Sequence, residues 1–95
     1  MADPLEIDGV LDLHMFRPDE TRDLVRDYLD ECVRLGIRDV RIIHGKGIGV
    51  QREIVQAVLR EHPAVIAFGH PPDAGSWGAT VVRLRIPARE DAGDG

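Results

Sequence analysis

The stretch Val40-Arg41-Ile42-Ile43-His44-Gly45-Lys46-Gly47-Ile48-Gly49 opens with β-branched and apolar residues that read as a strand over 40–44 and closes in a glycine-rich turn. A helix follows. Its apolar stripe runs through Val50, Ile54, Val58 and Leu59, and it stops before Pro63, because proline disfavours helical geometry in the residue ahead of it. Upstream, Val10 to His14 alternates, with Leu11 and Leu13 on one side and Asp12 and His14 on the other, as a strand with one wet face does. Pro18 then suits the first position of a helix and Asp19 and Glu20 its positive N-terminus. Leu24, Val25, Tyr28, Leu29 and Cys32 recur at helical spacing until Gly36 ends the helix.

Downstream, Ala64 to Phe68 predicts a third strand. Thr80 to Ile86 predicts a fourth, with Thr80, Val82 and Leu84 opposite Val81, Arg83 and Arg85, and a Pro-Gly loop joins the two. The order is strand, helix, strand, helix, strand, strand. Crossovers through helices make the first three strands parallel, right-handed crossovers place both helices on one face, and the fourth strand returns antiparallel. The fold class is therefore α/β, a β-α-β-α-β-β chain around a four-stranded mixed sheet.

The 95 residues fill one domain and leave no room for a second. The hydrophobic share of 43% and charged share of 31% are ordinary for a soluble globular protein, and no apolar run approaches the roughly 20 residues of a membrane span. The start, Met1-Ala2-Asp3-Pro4, lacks the basic flank and apolar core of a secretory signal, so the cytoplasm is expected. Cys32 is the only cysteine and falls on the apolar stripe of the first helix, which predicts a buried structural thiol.

A formal net charge of −5 argues against a general electrostatic grip on DNA or RNA. The placement of the charges weakens that objection, because the excess acids lie at the two ends: Asp3, Glu6 and Asp8, then Glu90, Asp91 and Asp94 against Arg89. Arg41, Lys46, Arg52 and Arg60 fall in the stretch where a phosphate-binding surface is expected.

Parallel strands that each feed a helix bring their C-terminal ends to one edge, where open α/β sheets bind ligands. His14 and His44 both fall there, beside the Gly45–Gly49 turn at a helix start. Amides at a helix N-terminus accept anions, glycines let backbone approach a phosphate, and Lys46 adds a mobile charge. Alternation places His44 with Val40 and Ile42 on the helix side, so a twist or bulge is needed to turn it outward. The glycine pattern is neither a dinucleotide fingerprint nor a P-loop.

Several other residues carry two readings. Asp12 shares a face with His14 and either orients it or is an exposed strand acid. Trp77 either stacks on a base or anchors the hairpin connection, and Arg83 and Arg85 either track phosphates or are solvated. His62, near a helix C-terminus, reads as structural, and His70 is a loop residue.

Leu11-Asp12-Leu13-His14, His44-Gly45-Lys46-Gly47-Ile48-Gly49 and Gly75-Ser76-Trp77-Gly78-Ala79-Thr80-Val81-Val82 resemble, in order and spacing, the motifs of the Smr (small MutS-related) domain family. The likeness covers about residues 8 to 86 and is that of a short, stand-alone bacterial member. It sets an extension over 1–7 apart from the domain over 8–86, and the Gly/Asp-rich composition beyond predicts a flexible acidic tail over 87–95. The resemblance implies a two-layer α/β sandwich like the C-terminal domain of translation initiation factor three, with the fourth strand between the second and third. It also implies nucleic-acid binding with endonuclease activity on RNA or DNA. Asp12, His14 and His44 are then the catalytic candidates, with Gly45, Lys46, Gly47, Gly49, Arg52, Trp77, Arg83 and Arg85 on the nucleic acid. One departure is the residue after the first histidine, Gly in many members and Met15 here, followed by Phe16, whose larger side chains are expected to narrow the entrance.

The leading expectation is phosphodiester cleavage in which His14 and His44 share acid–base work and Asp12 orients His14. Histidine suits that work because its ordinary pKa of about 6.5 lets it exchange protons near neutrality. RNA is favoured over DNA because it carries its own nucleophile, the 2′-hydroxyl. The alternatives are a non-catalytic module that recognises nucleic-acid structure on a ribosome or a repair intermediate, and a protein-interaction module using the acidic first helix. No metal site is expected, since Asp12 is the only carboxylate near the histidines, although ligation of one divalent ion by histidine stays open.

Overall fold

A computed structural model describes residues 7–45, 49–71 and 78–87. The elements are β1 (Val10–Asp12), α1 (Pro18–Leu35), β2 (Asp39–Ile43), α2 (Val50–Glu61), β3 (Val65–Gly69) and β4 (Ala79–Leu84). They form a four-stranded sheet in the order β1-β2-β4-β3. β1 and β2 are parallel, and β4 runs antiparallel to both β2 and β3. The two helices pack against each other over one face of the sheet, which makes the two-layer mixed α/β sandwich expected from the sequence.

The local rules behind α1 are visible at both ends. Pro18 opens it, Glu20 Oε1 accepts the Arg17 backbone N–H at 2.9 Å, and Asp19 and Glu20 face the positive end of the helix dipole. Gly36 closes it in the left-handed region at φ 80°, where the Ile37 amide reaches back to the Cys32 carbonyl at 2.8 Å. Its buried stripe is Thr21, Val25, Tyr28, Leu29 and Cys32, with Leu24 half-buried at the margin. The Tyr28 hydroxyl accepts the Gly9 N–H at 3.0 Å and donates to the Val10 carbonyl at 3.1 Å, pinning the start of β1 to the helix. Burial raises the Cys32 thiol to about 11, as expected of a structural cysteine.

Some expected elements shift. β1 ends at Asp12 rather than His14, because the Asp12 carboxylate takes the His14 N–H at 2.9 Å and turns the chain. β2 and β3 begin and end one residue away from the reading of the sequence, and β4 spans Ala79–Leu84 rather than 80–86. A register irregularity between Val65 and Ala67 leaves Ile66 58% exposed, so β3 does not alternate strictly. On α2 the buried stripe is Val55, Val58 and Leu59; Val50 is exposed and Ile54 half-buried, because α2 seats through its later turns while its first turn stands at the sheet edge.

Ile7, one residue ahead of the expected start of the domain, packs against the core. Residues 1–6 and the tail over 88–95 lie outside the described residues. Among the described residues, no helix is long and apolar enough to cross a membrane.

Candidate nucleic-acid interface

Leu11 and Leu13 sink into the core, so the residues between and after them, Asp12 and His14, face solvent at the C-terminal edge of the sheet. Asp12 Oδ1 accepts from both the backbone N–H of His14 at 2.9 Å and its ring Nδ1 at 2.7 Å. The backbone hydrogen bond is the larger cause, and the ring adds to it, in holding the Asp12 carboxyl below its usual range. With a proton on Nδ1, the outer nitrogen Nε2 is the one left to accept. That nitrogen lies 3.9 Å from the point where a Cβ on Gly45 would sit.

The segment after β2 meets the start of β4. The His44 and Gly45 amides both donate to the Gly78 carbonyl, at 2.8 and 2.9 Å. Gly45 is at φ 85°, and a Cβ on Gly78 would come within 3.2 Å of the Gly45 carbonyl carbon, so this crossing needs glycine on both sides. His44 keeps the strand alternation instead of turning outward. It stays on the helix side, where Nε2 is 2.9 Å from the Thr80 hydroxyl and Nδ1 is 3.1 Å from the Gly45 carbonyl oxygen. No bulge is needed, because Ile42 and Thr80 are cross-strand partners and His44 extends that face. Burial pushes the His44 pKa down; the Gly45 carbonyl opposes this, and the charges of Arg52 and His70 add to the lowering.

Gly49 caps α2 at φ 89°, leaving the first-turn amides of that helix at the same edge. The Arg52 guanidinium folds back over it, with Nη2 3.9 Å from the Gly49 Cβ position. Gln51 ties this turn to the loop after β1: its Nε2 donates to the Phe16 carbonyl at 3.0 Å and its Oε1 contacts the hydroxyl of Thr21, a fully buried residue. Phe16 packs against the core and Met15 is 89% exposed, so the ring expected to crowd the site turns away from it.

The structure thus brings together Asp12, His14, His44, Gly45, Gly49 and Arg52. It does not bring Arg83 and Arg85 to them. Arg83 pairs with Asp39 at 2.8 Å, four strand positions from Ile43 and so roughly 13 Å from the site edge, and Arg85 lies further along. Lys46, Gly47 and Trp77 lie outside the described residues. His62 is structural, its Nε2 donating to Asp30 at 2.7 Å and its Nδ1 accepting the Ala64 N–H at 3.1 Å. An open groove of about 690 Å³ lies elsewhere, over the uncovered sheet face beside Val10, Val81 and Ala67.

Sequence reasoning missed Gln51, Thr21, Thr80 and His70. The only local signal was Thr80, a polar side chain in an inward strand register. Among the described residues, no group of three or more His, Cys, Asp or Glu converges on a common point as metal ligands.

The architecture is an α/β sandwich that gathers a carboxylate-held imidazole, a second histidine and an arginine at the C-terminal strand edge beside a helix start. The chain belongs to the Smr domain family, whose model matches residues 11–85. The Smr domain of Thermus thermophilus MutS2 superposes with a TM-score of 0.74 at 35% identity, covering 82% of this chain and 99% of that one. YdaL, a stand-alone small MutS-related protein from Escherichia coli, gives 0.73 at 32% identity, over 81% of this chain and 64% of that one. Among curated relatives, endonuclease MutS2 of Thermomicrobium roseum is 42% identical over 69 residues, 72% of this chain. That of Helicobacter pylori is 35% identical over 82 residues, 85% of this chain. The chain spans only 9% and 11% of the length of these two relatives.

Proposed function

We propose that this domain binds nucleic acid at the histidine edge and cleaves a phosphodiester there, with RNA the favoured substrate. The observation that carries the reading is the Asp12–His14 pair. Its outer ring nitrogen has no hydrogen-bond partner among the described residues, 65% of the side chain is exposed, and it sits beside Gly45, at the start of the glycine turn. The relatives named endonuclease MutS2 support the same class of chemistry.

In this mechanism the phosphate lies against the first-turn amides of α2 and Arg52, where Gly45 and Gly49 allow close backbone approach. His14 Nε2 takes the proton of the attacking hydroxyl, and Asp12 holds the required tautomer and stabilises the imidazolium that forms. In RNA the 2′-oxygen forms the new bond to phosphorus and the bond to the 5′-oxygen breaks. The leaving oxygen takes its proton from water, which reaches the exposed site, and the His14 imidazolium gives its proton to the hydroxide so formed, which restores the neutral base. DNA has no such internal nucleophile and would require activated water, for which Asp12 is the one carboxylate held against a site histidine among the described residues.

The test uses one oligonucleotide with a single 2′-deoxy substitution at the mapped cleavage position. Cleavage is expected to stop there and to leave a 2′,3′-cyclic phosphate in the unmodified strand. Equal cutting of both strands rejects the mechanism. The competing reading, recognition of nucleic-acid structure without cutting, is favoured by the engagement of both His44 ring nitrogens, which leaves His14 as the open histidine among the described residues of the site. Tight binding with no products, with or without a divalent metal, selects it. A partner on the ribosome or on a repair intermediate belongs to the same proposal and is tested by which structured nucleic acid the domain retains.

Arg52 is the described cation at the glycine turn. Arg52→Gln should weaken binding of all sequences alike and lower the slope of log affinity against log salt by about 1, because a phosphate contact carries no base information. An unchanged slope would place the phosphate contact elsewhere.

A further inference from the structure

We propose that Thr80 locks His44 as a neutral positioning residue, so that His44 braces the turn after β2 and His14 is the histidine that exchanges protons with substrate. The proposal deepens the reading above and rests on it for its catalytic half. Its structural half stands on the two ring hydrogen bonds together with the charges that face the ring.

A carbonyl oxygen only accepts. Nδ1 of His44, 3.1 Å from the Gly45 carbonyl oxygen, therefore carries the ring proton. Nε2 of the neutral ring is then an acceptor, and the Thr80 hydroxyl 2.9 Å away donates to it. Thr80 is only 2% exposed, so a hydroxyl released from His44 would have no water to turn to. For His44 to act as a base, that bond has to break first. For it to act as an acid, the ring has to be charged where no negative group among the described residues answers it. The positive charge of Arg52 on α2 disfavours the charged ring, and the nearby carboxylate, Asp12 at the end of β1, is committed to His14.

The lock has a clear geometric purpose. The His44 and Gly45 amides share the Gly78 carbonyl, and the ring joins the Gly45 carbonyl to the β4 side chain that follows. Backbone and side chain together hold the segment that faces His14 Nε2. An imidazole fits this task because it presents a donor and an acceptor on opposite sides of a rigid ring.

Nitrogen-15 spectra of the histidine rings in the full chain, recorded from about pH 5 to 8, read the protonation state and tautomer directly. His44 is expected to show the neutral Nδ1–H form throughout the range in which the cleavage rate changes. Thr80→Val removes the hydroxyl at nearly constant shape. It should move the His44 Nε2 signal and lower the cleavage rate about tenfold or more while leaving the midpoint of the pH–rate profile unchanged, and Thr80→Ser should restore both. An imidazolium spectrum for His44 within that range, or a Thr80→Val midpoint that shifts, overturns the proposal. If no oligonucleotide is cut at all, the functional reading fails, and the wild-type spectra still decide the state of His44.

Discussion

Replacing His14 with glutamine is expected to lower phosphodiester cleavage by roughly 10²–10⁴-fold, the usual contribution of a positioned general base. Glutamine keeps a polar side chain of similar reach but cannot take up a proton near neutral pH. The substitution is also structurally mild, because His14 stands 65% exposed and, among the described residues, its ring bonds to Asp12. The backbone bond from the His14 N–H to Asp12 at 2.9 Å does not depend on the side chain, so the turn after β1 is retained. Folding and oligonucleotide affinity should therefore stay close to wild type while kcat falls. Single-turnover cleavage with saturating protein separates the two effects. A rate within threefold of wild type would remove His14 from the chemistry, whereas a parallel loss of binding would make it a contact for the phosphate instead.

The second large effect is on stability. Leu29→Ala should cost about 2–5 kcal/mol, because Leu29 is fully buried on α1 within the core cluster and its truncation leaves a cavity that close-packed neighbours fill only in part. Domains of this size are stable by only about 5–15 kcal/mol, so the loss is a large share of the total. Urea unfolding followed by circular dichroism should show a clear drop in midpoint with little change in slope. Leu35→Ala is the control on the same helix: Leu35 is 49% exposed, and its substitution should stay within about 0.5 kcal/mol of wild type. A loss below 1 kcal/mol at Leu29 would mean that α1 is not seated on the sheet as described.

The elements and their order were legible in the chain alone, because they depend on residues close together in it. Leu11 and Leu13 against Asp12 and His14 marked the two sides of the chain through β1 and the turn after it, and both leucines are buried while both polar residues are exposed. Pro18, Gly36 and Pro63 marked helix ends through φ restriction and left-handed capping, and the helices end at Leu35 and Glu61. The convergence of His14 with the glycine turn was also legible, since parallel strands must share one C-terminal edge.

What those residues touch depends on how the layers pack. Thr80 is 36 positions from His44, and Gln51 is 35 from the Phe16 carbonyl that it holds. No periodicity carries such pairings. They arise because β4 inserts between β2 and β3, which sets Thr80 beside Ile42 and drives Gly78 against Gly45. The same insertion draws Arg83 onto Asp39 at the far end of the sheet, away from the histidines with which sequence reasoning had grouped it. Residue types specify what a side chain is able to do. Strand order, fixed by burying both helices on one face of a continuous hydrogen-bond ladder, specifies which partner engages it: among the described residues His14 keeps an open nitrogen, and His44 has both nitrogens bound.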